Sequence, residues 1–179
     1  MGTYVTIVEF MTIVIPVEDE DISKQFERSL KKAGIKVMTN SSVERIDTTG
    51  AGVKAFVKTA KGEEVLEADI VLSAVGIKTN IENIGLEEVG IAVDRDKILV
   101  NAYNATNIPG YYAIGDVTPG QALAHVASAE GINCVEKIKG LHVDPIDYGN
   151  VPGCTYATPE IASVGLTEKQ AKEKGYELK

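Results

Sequence analysis

The spacing of apolar residues changes twice within the first forty positions. Tyr4-Val-Thr-Ile-Val-Glu-Phe10 is continuous and β-branched, the pattern of a parallel strand buried on both faces. Ile22, Phe26, Leu30 and Ala33 then recur at helical spacing, behind the acidic run Glu18-Asp-Glu-Asp21 and ahead of Lys31, Lys32 and the stop residue Gly34. Acid at the front of a helix and base at its back both suit the helix dipole. Ile35-Lys-Val-Met38 reads as a second strand, so the segment predicts a βαβ unit.

From Ser42 the period becomes two. Residues 43–47, 53–59 and 63–68 alternate apolar and polar side chains, broken by Gly50, Gly52 and Lys61-Gly62, and predict an antiparallel meander. Asp69-Ile-Val-Leu-Ser-Ala-Val-Gly76 returns to the parallel-strand pattern and ends in glycine. Residues 81–86 suggest a helical turn, and residues 91–93 and 98–100 flank Asp94-Arg-Asp-Lys97 as a hairpin. Tyr111-Tyr-Ala-Ile114 predicts a short buried strand, Gly115 its exit, and Thr118-Pro-Gly-Gln121 a turn into an apolar helix from about Ala122 to Ile138. After Pro145 the composition loosens. Val151-Pro-Gly-Cys-Thr-Tyr-Ala-Thr-Pro-Glu160 starts a new unit, and Thr167-Glu-Lys-Gln-Ala-Lys-Glu-Lys174 is a capped, charged helix stopped by Gly175. The expected class is therefore α/β with an antiparallel β-meander, with a further unit starting near Val151.

Bulk properties narrow the function classes. The 179 residues suit one ordinary domain or two small ones, and 44% hydrophobic with 25% charged residues is a globular composition. A net charge of −8 without a basic block argues against a nucleic-acid or anionic-membrane surface. The apolar runs at 70–76 and 122–129 are too short to span a bilayer, and the start lacks the basic region of a signal peptide. Two cysteines, Cys134 and Cys154, make no disulfide framework, which leaves a cytoplasmic location as the default.

Five places could carry chemistry. Glu9 ends the first strand, where a carboxylate can accept hydrogen bonds from a ribose diol and repel a 2′-phosphate, favouring NAD over NADP. No G-x-G-x-x-G precedes it, so on the residues alone a surface carboxylate is the simpler reading. Gly76 would let a ligand or a backbone approach closely, or is an ordinary turn glycine. Asp116 falls at a strand's carboxyl end, where open α/β sheets place ligands, or is simply an Asp in a strand-turn-helix. Leu123-Ala-His125 lies in the expected first helical turn, whose N–H groups could bond an anionic or polarised ring carbonyl; on spacing alone the simpler reading of His125 is a satisfied polar residue at a helix start. Cys134, among Ile132, Val135 and Ile138, is simplest as core; it lies twenty positions from Cys154 on another element, which argues against a dithiol centre.

In family order the chain carries Val5-Thr-Ile-Val-Glu-Phe10, Asp21-Ile-Ser-Lys24, Ala74-Val-Gly76 followed by Asn80, Ala113-Ile-Gly-Asp116 followed by Leu123-Ala-His125, and Tyr156-Ala-Thr-Pro-Glu-Ile-Ala-Ser-Val-Gly-Leu-Thr-Glu168. Together these resemble the pyridine nucleotide–disulfide oxidoreductases, most closely the members that oxidise dihydrolipoamide. The resemblance implies an FAD/NAD(P)-binding, Rossmann-like three-layer fold, present incompletely. Residues 1–77 would be part of an NAD-binding domain, 78–150 a central domain with part of the FAD site, and 151–179 the start of an interface, or dimerisation, domain. It implies Glu9 on the adenosine ribose of NAD, with Val43 and Gly76 lining that site. Asp116 would hold the ribityl chain of FAD, and Ala122, Leu123, Ala124 and His125 would contact the isoalloxazine side.

The implied reaction passes electrons from dihydrolipoamide through a disulfide and FAD to NAD, a role in redox homeostasis. The implied partners are a second copy of the protein and a lipoyl-bearing protein of a 2-oxo-acid dehydrogenase or glycine-cleavage complex. Family hallmarks not found are the two G-x-G-x-x-G motifs, the redox C-x-x-x-x-C and the C-terminal catalytic His-Glu pair. The chain is therefore expected to be a middle section and inactive alone. Alternatives are another disulfide reductase or an NADH oxidase of the family, or a non-catalytic nucleotide-binding or assembly module. One departure is local: the family's Arg-Arg-Pro-Asn-Thr after the glycine is here Ile77-Lys-Thr-Asn-Ile81, leaving Lys78 as the basic residue.

Overall fold

The computed structural model describes residues 2–178. Contacts divide the chain into two compact units, Met1–Ala74 joined by Pro152–Lys179, and Val75–Val151.

In the first unit the predicted βαβ is present. Strand β1 (Thr6–Val8) pairs in parallel with β2 (Lys36–Met38), Ile7 opposite Val37, across helix α1 (Glu20–Lys32). Glu20 and Asp21 lead α1 and Lys31 and Lys32 close it, as the charge pattern predicts. Phe26 and Leu30 on its inner face pack with Ile7, Val14, Ile15, Ile35 and Val37. Burying two such side chains is worth about 1.5–3 kcal/mol each. The meander follows as β3 (Ser42–Asp47), β4 (Val53–Thr59) and β5 (Gly62–Ala68), antiparallel in that order, with Ala55 and Val57 buried on the middle strand. A register shift between Val43 and Arg45 bends β3.

The C-terminal stretch belongs to this same unit. Later hairpin strands Gly153–Thr155 and Ile161–Ser163 pair antiparallel, and Ile161 enters the Phe26–Leu30 cluster. Ser163 Oγ donates to Glu18 at 3.0 Å, and the Glu168 N–H donates to Asp19 at 2.7 Å. The final helix, Glu168–Glu173, carries a full capping box between Thr167 and Gln170, the capped helix that its sequence predicts.

Three expectations need correction. Residues 69–76 form no strand: Ile70, Leu72 and Val75 are 84%, 87% and 96% exposed. A parallel strand exists only against a neighbour that takes its hydrogen bonds, and among the described residues β1 pairs with β2 alone. Residues 111–114 likewise form no ladder: Ala105 and Tyr112 make an isolated bridge, the Thr106 N–H donates to the Tyr111 carbonyl and the Ala113 N–H to the Asn104 carbonyl. The helical turn expected at 81–86 lies one turn later, as α2 (Leu86–Val89), between Gly85 and Gly90 in the left-handed conformation.

The second unit is built on Ile81, Leu86 and Ile98, packed against Ile91, Val100, Ala113 and Val117. The predicted hairpin around Asp94-Arg-Asp-Lys97 is there as β6 (Val93–Asp94) and β7 (Lys97–Ile98). Helix α3 spans Ala124–Ile138, so Leu123 is its N-cap and Ala122 lies outside it, two residues later than the apolar pattern suggests. Strands β8 (Gly153–Thr155) and β9 (Ile161–Ser163) and helix α4 (Glu168–Glu173) complete the chain in the first unit.

Candidate functional site

Asp116 is carried by a single 3-10 turn, Gly115–Val117, in the second unit. Its backbone is held from several sides. The Gly115 N–H donates to the Glu130 carboxylate at 2.6 Å. The Gly115 carbonyl accepts from the Thr118 N–H at 2.9 Å and the Thr118 hydroxyl at 2.8 Å. The Asp116 carbonyl accepts from Lys97 Nζ at 2.5 Å. Gly115 has φ +74, and a Cβ there would meet the Ala127 Cβ at 3.2 Å; a Cβ on Gly131 would meet Ile114 at 3.3 Å. Glycine at both positions lets α3 lie directly on the turn. Asp116 itself is exposed, so the turn is fixed while its carboxylate faces outward.

Helix α3 starts with no side-chain cap and no acidic residue in its first turn. Its first N–H groups therefore keep the partial positive charge of a helix start. Ala122, Ala124 and His125 around it are exposed and Leu123 is half-buried. Gly76 opens the same unit with φ +115 and no atom within 4 Å of a notional Cβ, a conformation that favours glycine and a surface a ligand can reach.

Glu9 and Val43 lie in the first unit. The Glu9 N–H donates to the Met38 carbonyl at 2.8 Å, and its carbonyl accepts from the Ser41 N–H at 3.0 Å, which locks it just past the parallel strands. Its Oε1 accepts from the Met11 N–H at 2.8 Å. An ionised carboxylate has about four acceptor sites, so capacity for a ribose hydroxyl remains. Val43 is 42% exposed at the bend of β3. Phe10, beside Glu9 in sequence, and Ser42 and Glu44, on either side of Val43, line one open hollow with Asn40, Ser41 and Lys58.

A family model for pyridine nucleotide-disulphide oxidoreductases matches residues 1–131, and one for their dimerisation domain matches residues 151–179. The chain belongs to this family. Dihydrolipoyl dehydrogenase from Rhizobium etli is 46% identical over all of the chain and 38% of its own length. The mitochondrial dihydrolipoyl dehydrogenase of Pisum sativum is 44% identical over all of the chain and 36% of its own length. Among solved structures, the HOCl-induced flavoprotein disulfide reductase RclA from Escherichia coli superposes with a TM-score of 0.87 at 30% identity, covering 98% of the chain and 40% of that protein. The chain thus spans between a third and two-fifths of the lengths of the curated relatives it matches. The fold is the α/β, Rossmann-type arrangement of pyridine nucleotide–disulfide oxidoreductases, with an antiparallel meander.

The donor set of this family member suits its nucleotides. An exposed carboxylate on a fixed turn and an uncapped helix start fit a ribityl chain and a ring that gains negative charge. A strand-end carboxylate beside an open hollow fits an adenosine ribose. Sequence reasoning missed Glu130, Tyr148, Thr118 and Lys97. One signal for Glu130 was present: it sits four residues from both Val126 and Cys134, on the buried stripe of α3, where a charge needs partners. Cys134 is in the core as expected and burial pushes its thiol pKa up, whereas Ile132, Val135 and Ile138 are 60%, 65% and 56% exposed. Lys78 pairs with Glu82 on the surface, each holding the other charged.

Proposed function

We propose that the protein to which this chain belongs is an FAD- and NAD-dependent dihydrolipoyl dehydrogenase. The observation that carries this is the 44–46% identity to dihydrolipoyl dehydrogenases across the whole chain, over a segment that includes the fixed Asp116 turn. Bound FAD and NAD would supply the two-electron chemistry, and the chain's residues would place them. Glu9, with Val43, would bind the adenosine half of NAD, and the Glu9 carboxylate would repel a 2′-phosphate; Gly76 is proposed as a nucleotide-contacting glycine of its own unit. Asp116 would accept hydrogen bonds from the ribityl hydroxyls. Ala122, Leu123, Ala124 and His125 would border the flavin ring, with the α3 dipole favouring negative charge on it. Residues 1–77, 78–150 and 151–179 would then be parts of the NAD, central and interface domains.

The proposed partners are a second copy of the protein, consistent with the dimerisation-domain match at residues 151–179, and a lipoyl-bearing protein. We place the protein in the cytoplasm and in redox homeostasis on the same reading. Dihydrolipoamide-dependent NAD reduction by the complete gene product tests the function. The expected result is turnover with NAD at least about tenfold better than with NADP, the gap narrowing in Glu9→Ala, and none from the 179-residue chain alone. A complete protein that reduces other disulfides and not lipoamide would favour the second reading, a different disulfide reductase, which the superposition on RclA supports.

A further inference from the structure

Glu130 is 2% exposed on the inner stripe of α3. A carboxylate stripped of water is tolerated only where hydrogen bonds replace its hydration. Its two oxygens take different partners: Oε2 accepts from the Gly115 N–H at 2.6 Å, and Oε1 accepts from the Tyr148 hydroxyl at 2.7 Å. Tyr148 is 39% exposed, and its ring passes close to the backbone of Gly120, where a Cβ would lie 3.5 Å from it. Among the described residues no buried side-chain polar atom lacks a partner, so the triad Gly115–Glu130–Tyr148 is complete. Gly115 is the first residue of the Asp116 turn, and Glu130 stands on the same rigid helix whose start carries Ala124 and His125. One carboxylate therefore fixes the turn against the helix.

We infer that Glu130, locked by Tyr148, is a positioning residue for the flavin: it touches no cofactor and sets where Asp116 stands relative to the start of α3. The inference rests on Asp116 being a flavin-binding residue, as proposed above. An apolar residue at 130 could fill the same volume but would leave the Gly115 N–H without its acceptor and free the turn to shift.

The test compares Glu130→Leu, Glu130→Gln, Tyr148→Phe and Asp116→Asn in the complete gene product. FAD affinity is measured by reconstitution of the apoprotein, and exchange of the Gly115 amide by hydrogen–deuterium exchange. Glu130→Leu should speed that exchange and weaken FAD binding by about tenfold to a hundredfold, the scale of one lost hydrogen bond to a charged group. Glu130→Gln, which keeps an acceptor oxygen for Gly115, should recover most of the loss. Tyr148→Phe should fall between, and it keeps the ring if Glu130→Leu does not fold. FAD affinity unchanged in Tyr148→Phe and Glu130→Leu, despite faster exchange, would overturn the inference. Asp116→Asn binding FAD as well as the parent would instead overturn the flavin assignment beneath it.

Discussion

Tyr148 gives the buried carboxylate a consequence that pH can reveal. Burial first, and then its hydrogen bond to Glu130, push the phenol up from about 10 to about 12. The folded state thus holds this proton more tightly than the unfolded chain. The resulting stability is fully present below pH 10 and is lost as pH rises from 10 towards 12. Tyr148→Phe should therefore close its stability gap to the parent across that window, measured by urea unfolding at successive pH values. Of the seven tyrosines, one should titrate last in an alkaline absorbance titration and vanish in this variant. At this scale the sequence made Asp116 visible, because Gly-Asp before a helix is a local pattern. Glu130 and Tyr148 were hidden because their partnership spans eighteen positions, and spacing along a chain does not report a turn folding back on a helix.

Among the elements, local patterns predicted what local forces make. Helix α1, the meander and the capped α4 follow from helical spacing, alternation and a Thr–Gln box, and each is found. Residues 69–76 failed for the converse reason: continuous apolar sequence specifies a strand only when a neighbouring strand accepts its hydrogen bonds. The placement of β8 and β9 on α1 was equally illegible, since the sequence marked residues 151–179 as a new unit and said nothing of what they cover. Ile161 makes that placement testable. It completes the Phe26–Leu30 cluster at 9% exposure, so Ile161→Ala should destabilise the first unit by about 2–5 kcal/mol, read from the denaturant midpoint. A change within about 0.5 kcal/mol would mean the hairpin only rests on α1.

Across the whole molecule, large apolar residues remain exposed. In the first unit Tyr4 is 100%, Phe10 75%, Ile70 84% and Leu72 87% exposed, and β1 has one paired edge among the described strands. Open edges flanked by apolar side chains are templates for another chain. The 179-residue chain should therefore self-associate, with sedimentation showing species beyond the monomer at tens of micromolar and a strict monomer refuting it.

We propose the Glu9 strand end and the Asp116 turn as nucleotide half-sites of a lipoamide-oxidising flavoprotein. An anaerobic optical titration of the complete gene product tests it most directly. Purified protein should be yellow, lose its flavin absorbance on adding dihydrolipoamide and regain it on adding NAD. A colourless protein, or a flavin that dihydrolipoamide does not reduce, would rule out that assignment.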